Sequence, residues 1–173
     1  PFNNKNKAIV DVNDKFVPLT YFNIVKLNAG EQFHYKVSGY ETCIVPATGT
    51  IDVEVIGQTY EAVGNRKVDV WGGEPEAVYV PVGIEAKFTC VTDNTEVFIA
   101  GAKYDKVLKP FVVRVAELDL VQYGSDETKT HRKIKHILGQ KQANQVGRLL
   151  VSELFTVGQG GWSGFPSHKH DTN

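Results

Sequence analysis

Short runs rich in Val, Ile, Thr, Tyr and Phe recur along the N-terminal part of the chain, each closed by glycine or by a polar turn. This cadence constrains the fold more than any other feature. Such residues suit a pleated, half-buried surface, and many short strands at regular spacing point to a β-sandwich or β-barrel. Strands are expected at residues 7–12, 19–27, 41–45, 50–55, 58–62, 67–71, 77–80, 86–91 and 95–100. In Thr50-Ile51-Asp52-Val53-Glu54-Val55 the apolar residues alternate, so Ile51, Val53 and Val55 share one face. Gly57-Gln58 is expected to turn this strand back on itself. No segment carries a sustained helical period; the best helix candidate is residues 116–122. Without strands alternating with long helices, a parallel α/β sheet is disfavoured.

Beyond Ala100 the character changes. Residues 103–110 are polar and lysine-bearing and 123–129 form a polar loop, whereas 131–138 and 147–157 again read as strands around a polar loop at 139–145. The expected organisation is a β domain at 1–102, a connection at 103–130, and the start of a second β unit at 131–173. With 173 residues, 42% hydrophobic and 23% charged, the chain can bury an ordinary core. A net charge of −1 offers no field for nucleic acid or an anionic membrane, so neither is expected as a partner. No apolar run approaches the roughly 20 residues that span a bilayer. The opening PFNNKNKAIV lacks a signal pattern. Cys43 and Cys90 sit in apolar runs and read as buried thiols in a reducing compartment, so a cytoplasmic location is expected. The chain starts at Pro1 and contains no methionine, which is read as the mark of a fragment.

The chemistry-bearing signal lies near the end, in Phe165-Pro166-Ser167-His168-Lys169-His170-Asp171. In an extended chain residues i and i+2 point the same way, so His168 and His170 aim both imidazoles at one point. Imidazole suits Zn, Fe, Ni and Cu and tolerates Mn. Either this is a solvated polar tail, or it opens a metal site whose other ligands come from elsewhere. The context of strand, glycine turn at Gly158-Gln159-Gly160-Gly161, and His-x-His favours the metal site. The basic stretch KTHRKIKHIL places Arg132, Ile134 and His136 on one strand face, and Lys133, Lys135 and Ile137 on the other. A solvated, charged edge strand is the expected role. The sharper alternative is that Arg132 pairs bidentately with a substrate carboxylate. Trp71 and Trp162 are expected to pack inside the fold. Gly72-Gly73 is too short for a phosphate loop, and no Ser-His-Asp or Cys-His arrangement is indicated.

From Gly30 to Cys90 the skeleton resembles the cupin superfamily: Glu41, Cys43-Ile44-Val45-Pro46, Gly49, then Val78-Tyr79-Val80-Pro81-Val82-Gly83. That resemblance implies an all-β fold, a double-sheet β-barrel or jelly roll. The positions of its metal ligands fall near Lys36 and Ser38, at Glu41 and at Ala86, so the outline is present without a working ligand set. His34, the nearest histidine, is expected to be exposed or internally satisfied.

The stretch Trp162-Ser163-Gly164-Phe165-Pro166-Ser167-His168-Lys169-His170-Asp171 further resembles the signature of the 5-deoxy-glucuronate isomerases of bacterial inositol catabolism. Glu41-Thr42-Cys43-Ile44-Val45, Gly64-Asn65-Arg66, Ala77-Val78-Tyr79-Val80-Pro81, His136-Ile137-Leu138 and Arg148-Leu149-Leu150-Val151 fit the same family. The resemblance implies a bicupin whose N-terminal barrel lacks a metal set and whose C-terminal barrel holds one. The related 4-deoxy-L-threo-5-hexosulose-uronate isomerases share the fold and a His, His, Glu, His set. The implied reaction is an aldose–ketose isomerisation, 5-deoxy-D-glucuronate to 5-dehydro-2-deoxy-D-gluconate, assisted by a divalent ion (Zn, Mn, Fe or Ni). His168 and His170 would be ligands and Arg132 a substrate contact. The catalytic base and the remaining ligands are expected after residue 173, and this chain alone is expected to be inactive. A small-molecule sugar acid is the expected partner, and a homo-oligomer is compatible with the resemblance. Two alternatives stand beside it: a non-enzymatic cupin that binds sugar, and another metal-dependent cupin enzyme such as a dioxygenase.

Overall fold

A computed structural model of the chain describes residues 3–158, 160 and 161. The fold is all-β, as expected, and is built from two antiparallel assemblies. The first contains β1 (Thr20–Leu27), β2 (Gln32–Lys36), β3 (Tyr40–Val55), β4 (Gln58–Arg66), β5 (Ala77–Val80), β6 (Glu85–Cys90), β7 (Thr95–Lys103) and β8 (Phe111–Val113). Strands β1, β7, β3, β5 and β8 form one sheet in that order. The far half of β3 pairs with β4 and β6, and β6 pairs with β2, forming a second sheet. The second assembly is a three-stranded sheet in the order β11 (Val151–Thr156), β10 (Arg132–Leu138), β9 (Asp119–Tyr123).

The two expected strands at 41–45 and 50–55 are one strand, which crosses from the first sheet to the second. Pro46, which has no N–H to offer the ladder, precedes a register shift against β7, and Gly49 takes φ +80°. A Cβ on Gly49 would also lie 2.2 Å from Thr95 Oγ1, so space as well as conformation requires glycine there. Ile51, Val53 and Val55 do share a buried face, packed with Val25, Tyr35, Ile44, Val78, Ala86, Phe88, Val97 and Ile99 between the two sheets. The hairpin turn is Ile56-Gly57, one residue earlier than expected, with φ of 50° and 71°. Two successive positive φ values match the twist of the strands, at the cost of straining a β-branched residue.

Other expectations fail for local reasons. Residues 67–71 do not form a strand: Asp69 accepts the backbone N–H of Trp71 with its carboxylate and that of Gly72 with its carbonyl, closing a turn. Trp71 is consequently 72% exposed, not packed inside the fold. Residues 7–12 contribute one bridge, Val10 to Phe22. The helix candidate at 116–122 splits into a 3-10 turn at Val115–Glu117 and strand β9. Within the expected connection, β8 completes the first sheet and β9 starts the second assembly. The basic strand β10 is central in its sheet, not an edge.

The outer face of the β1–β7–β3–β5–β8 sheet is buried as well. Cys43, Val45, Ala77, Tyr79 and Val113 pack there against Leu118, Ile137, Leu138 and Leu149. A register shift between His136 and Leu138 lets the consecutive Ile137 and Leu138 both reach this core.

Candidate functional site

His168 and His170, the expected metal ligands, lie outside the described residues, as does Trp162. Among the described residues no group of three or more His, Cys, Asp or Glu side chains could hold a metal ion. Inside the first assembly the reason is visible. Ala86 is fully buried in the apolar core. Glu41, aligned by sequence with a ligand position, lies on the opposite face of β3 from Thr42 and Ile44. His34 is exposed, with Nδ1 4.0 Å from Glu85.

Glu41 has a different task. Its fully buried carboxylate accepts the Tyr79 hydroxyl at 2.6 Å and the backbone N–H groups of Gly147, Arg148 and Leu149 at 2.8, 2.5 and 2.8 Å. These amides are thereby taken out of any ladder, so the expected strand at 147–157 is confined to Val151–Thr156. Burial, with the Glu41 carboxylate beside it, raises the pKa of the Tyr79 hydroxyl.

Strand β11, from which the chain runs toward His168 and His170, is clamped to the first assembly on one face. The Arg66 guanidinium, 1% exposed, binds both oxygens of Glu153 at 2.7 and 2.5 Å and donates from Nε to the Gly73 carbonyl. Lys135 meets Glu74 at 2.7 Å and lies 4.5 Å from the Phe155 ring centroid. Trp71 stands edge-on to Phe155, with centroids 4.9 Å apart. The cleft beside Trp71, about 420 Å³, is lined by Phe22, Phe98, Leu154 and Phe155 and is mostly apolar.

The other face of the β9–β10–β11 sheet carries the polar chemistry, in three cross-strand rows. Arg132 pairs with Tyr123 and Thr156, Ile134 with Val121 and Leu154, and His136 with Asp119 and Ser152. The Arg132 guanidinium lies 5.6 Å from the Tyr123 ring centroid, a cation–π contact. His136 Nδ1 lies 2.7 Å from Ser152 Oγ. Asp119 is across from His136 and 4.0 Å from Lys141. Sequence reasoning had placed Arg132 and His136 on one face. It missed Asp119 and Ser152, which come from separate segments and are joined to His136 only by the strand register.

Comparison with known proteins gives this arrangement a context. The 5-deoxy-glucuronate isomerase of Bacillus subtilis (strain 168) is 29% identical over 168 residues, covering 95% of this chain and 60% of that protein. That of Shouchella clausii (strain KSM-K16) is 32% identical over 168 residues, covering 93% and 58%. The chain thus spans about three-fifths of the length of these curated relatives. Among solved structures, an IolB-like protein from Salmonella typhimurium LT2 superposes with a TM-score of 0.68 at 23% identity, covering 79% of this chain and 50% of that one. Protein Ylba from E. coli superposes with a TM-score of 0.51 at 14% identity, covering 76% of this chain and 54% of that one. These two likenesses speak for the fold alone. The KduI/IolB family model matches residues 1–173, the whole sequence, and the chain belongs to that family.

Proposed function

We propose that the whole protein is a sugar-acid aldose–ketose isomerase, an intramolecular oxidoreductase converting 5-deoxy-D-glucuronate to 5-dehydro-2-deoxy-D-gluconate in myo-inositol catabolism. The observation that carries this reading is the family match along the entire chain, with curated relatives named 5-deoxy-glucuronate isomerase. The terminal Trp-Ser-x-Phe-Pro-x-His-Lys-His-Asp string agrees with it.

The donor set fits a divalent ion. His168 and His170 offer two imidazoles at i and i+2, a ligand type suited to Zn, Mn, Fe or Ni. Such an ion, when bound, polarises a carbonyl and stabilises negative charge on oxygen. Arg132 would take the substrate carboxylate, for which its planar guanidinium is matched. Isomerisation also needs a group that accepts a proton from the hydroxyl-bearing carbon and returns it to the former aldehyde carbon.

The test compares the whole protein with a His168→Ala, His170→Ala double variant. Bound metal is measured by elemental analysis and turnover of 5-deoxy-D-glucuronate by NMR. About one metal per chain with turnover, both lost in the variant, supports the isomerase. Metal without turnover points to a different reaction, and no metal in either protein sinks the metal-assisted reading.

A further inference from the structure

We propose that His136, oriented by Ser152, is the proton-transferring group of the isomerase. This rests on the isomerase reading above and deepens it. His136 stands on the face of the β9–β10–β11 sheet that turns away from the clamp of Arg66, Glu74 and Trp71. Its Nδ1 is engaged by Ser152 Oγ at 2.7 Å, which fixes the ring plane and leaves Nε2 as the working nitrogen when Nδ1 carries the proton. Among the described residues the charged and titratable groups around it are few. Asp119 faces it from β9, Lys141 stands beyond Asp119 at 4.0 Å, and Arg132 lies at the far end of its own strand.

This face carries a guanidinium, Arg132, at one end of β10 and an imidazole, His136, toward the other. Arg132 and His136 are four residues apart, about 13 Å along the strand at roughly 3.3 Å per residue. Arg132 reaches Tyr123 on β9 and His136 reaches Ser152 on β11, with the apolar row of Ile134, Val121 and Leu154 between them. A carboxylate held at the Arg132 end leaves the carbonyl end of the substrate toward His136.

The proton transfer balances without any redox partner. Nε2 takes the proton from the hydroxyl-bearing carbon, and the C–H electron pair becomes the C=C bond of an enediol while the former carbonyl oxygen is protonated by water. The proton on Nε2 then returns to the former aldehyde carbon as the neighbouring hydroxyl loses its proton to water and becomes the ketone. General acid–base groups of this kind contribute about 10²–10⁴-fold.

The experiment uses the whole protein, with His136→Gln and Ser152→Ala, each checked by circular dichroism and by metal content. Turnover is followed across pH, with deuterium incorporation read by NMR in D₂O. In His136→Gln, kcat should fall at least about 100-fold with KM nearly unchanged, metal content intact and one limb of the pH profile lost. Ser152→Ala should lower kcat by a smaller factor and shift that limb. Turnover in His136→Gln within about threefold of the parent, with the same pH profile, overturns the role of His136 and leaves the isomerase standing. A parent protein loaded with metal that does not isomerise the sugar acid overturns both. If His136→Gln does not fold, the Ser152→Ala profile decides: an unmoved limb and unchanged kcat overturn the proposal.

Discussion

The carboxylate of Glu41 accepts the backbone N–H of Leu149 at 2.8 Å, 108 residues further along the chain. With Tyr79, Gly147 and Arg148 also donating, this one side chain pins the approach to β11 against the outer face of the first sheet.

Replacing Glu41 with Gln keeps the shape but removes the charge that three amides share. Hydrogen bonds to a charged group contribute about 1.5–3 kcal/mol each, and the remaining amide can satisfy only part of them. Glu41→Gln should therefore lose about 2–4 kcal/mol in urea unfolding. Tyr79→Phe removes one donor to Glu41 and should cost about 1 kcal/mol. Loss below 0.5 kcal/mol in Glu41→Gln would contradict the anchoring role.

Arg66 and Glu153 form a bidentate pair with the guanidinium almost fully enclosed. Breaking such a pair leaves an uncompensated buried charge and costs about 3–5 kcal/mol, whereas replacing both partners with apolar residues is close to neutral. Glu153→Leu should be strongly destabilising, and Arg66→Met with Glu153→Leu should recover most of the loss. A double-mutant cycle by chemical denaturation measures this coupling.

Stability should fall at alkaline pH. Burial raises the pKa of the Cys43 thiol from its ordinary 9.0, and that of the Tyr35 and Tyr79 hydroxyls from 10.0. These groups keep their protons in the folded state when the unfolded chain has already lost them. Their contribution is therefore complete below the ordinary values and is lost as pH rises above about 9 toward the raised folded values. Midpoints of denaturation measured from pH 7 to 11 should decline at the upper end, less steeply in Tyr35→Phe, while the native Cys43 thiol stays inert to a disulfide reagent.

Ala86→His would restore a histidine where the cupin pattern expects one. Ala86 is enclosed by apolar side chains and Glu41 is on the far side of β3, so no partner ligand meets the new imidazole. The expected result is destabilisation by about 1–3 kcal/mol from overpacking, with no metal gained from the substitution. Elemental analysis of the variant beside the parent checks it.

Alternation and turn chemistry made much of the fold legible in advance. Val53 and its neighbours declared their buried face because side chains in a strand alternate with a period of two. The same rule put Arg132 and His136 together. It failed at residues 67–71, where Asp69 captured local amides, and at 147–149, where Glu41 did so from across the sheet. Propensity cannot register a competitor for backbone hydrogen bonds that arrives from 106 residues away.

What the sequence determined by itself was the all-β class and the His-x-His string, since each depends on residue type and short spacing. Tertiary structure alone decided that β3 serves two sheets, that Glu41 anchors instead of ligating, and that Asp119, His136 and Ser152 form one row. Those outcomes depend on strand register and on which face meets which neighbour, and register is set by burying apolar faces against one another across the whole molecule.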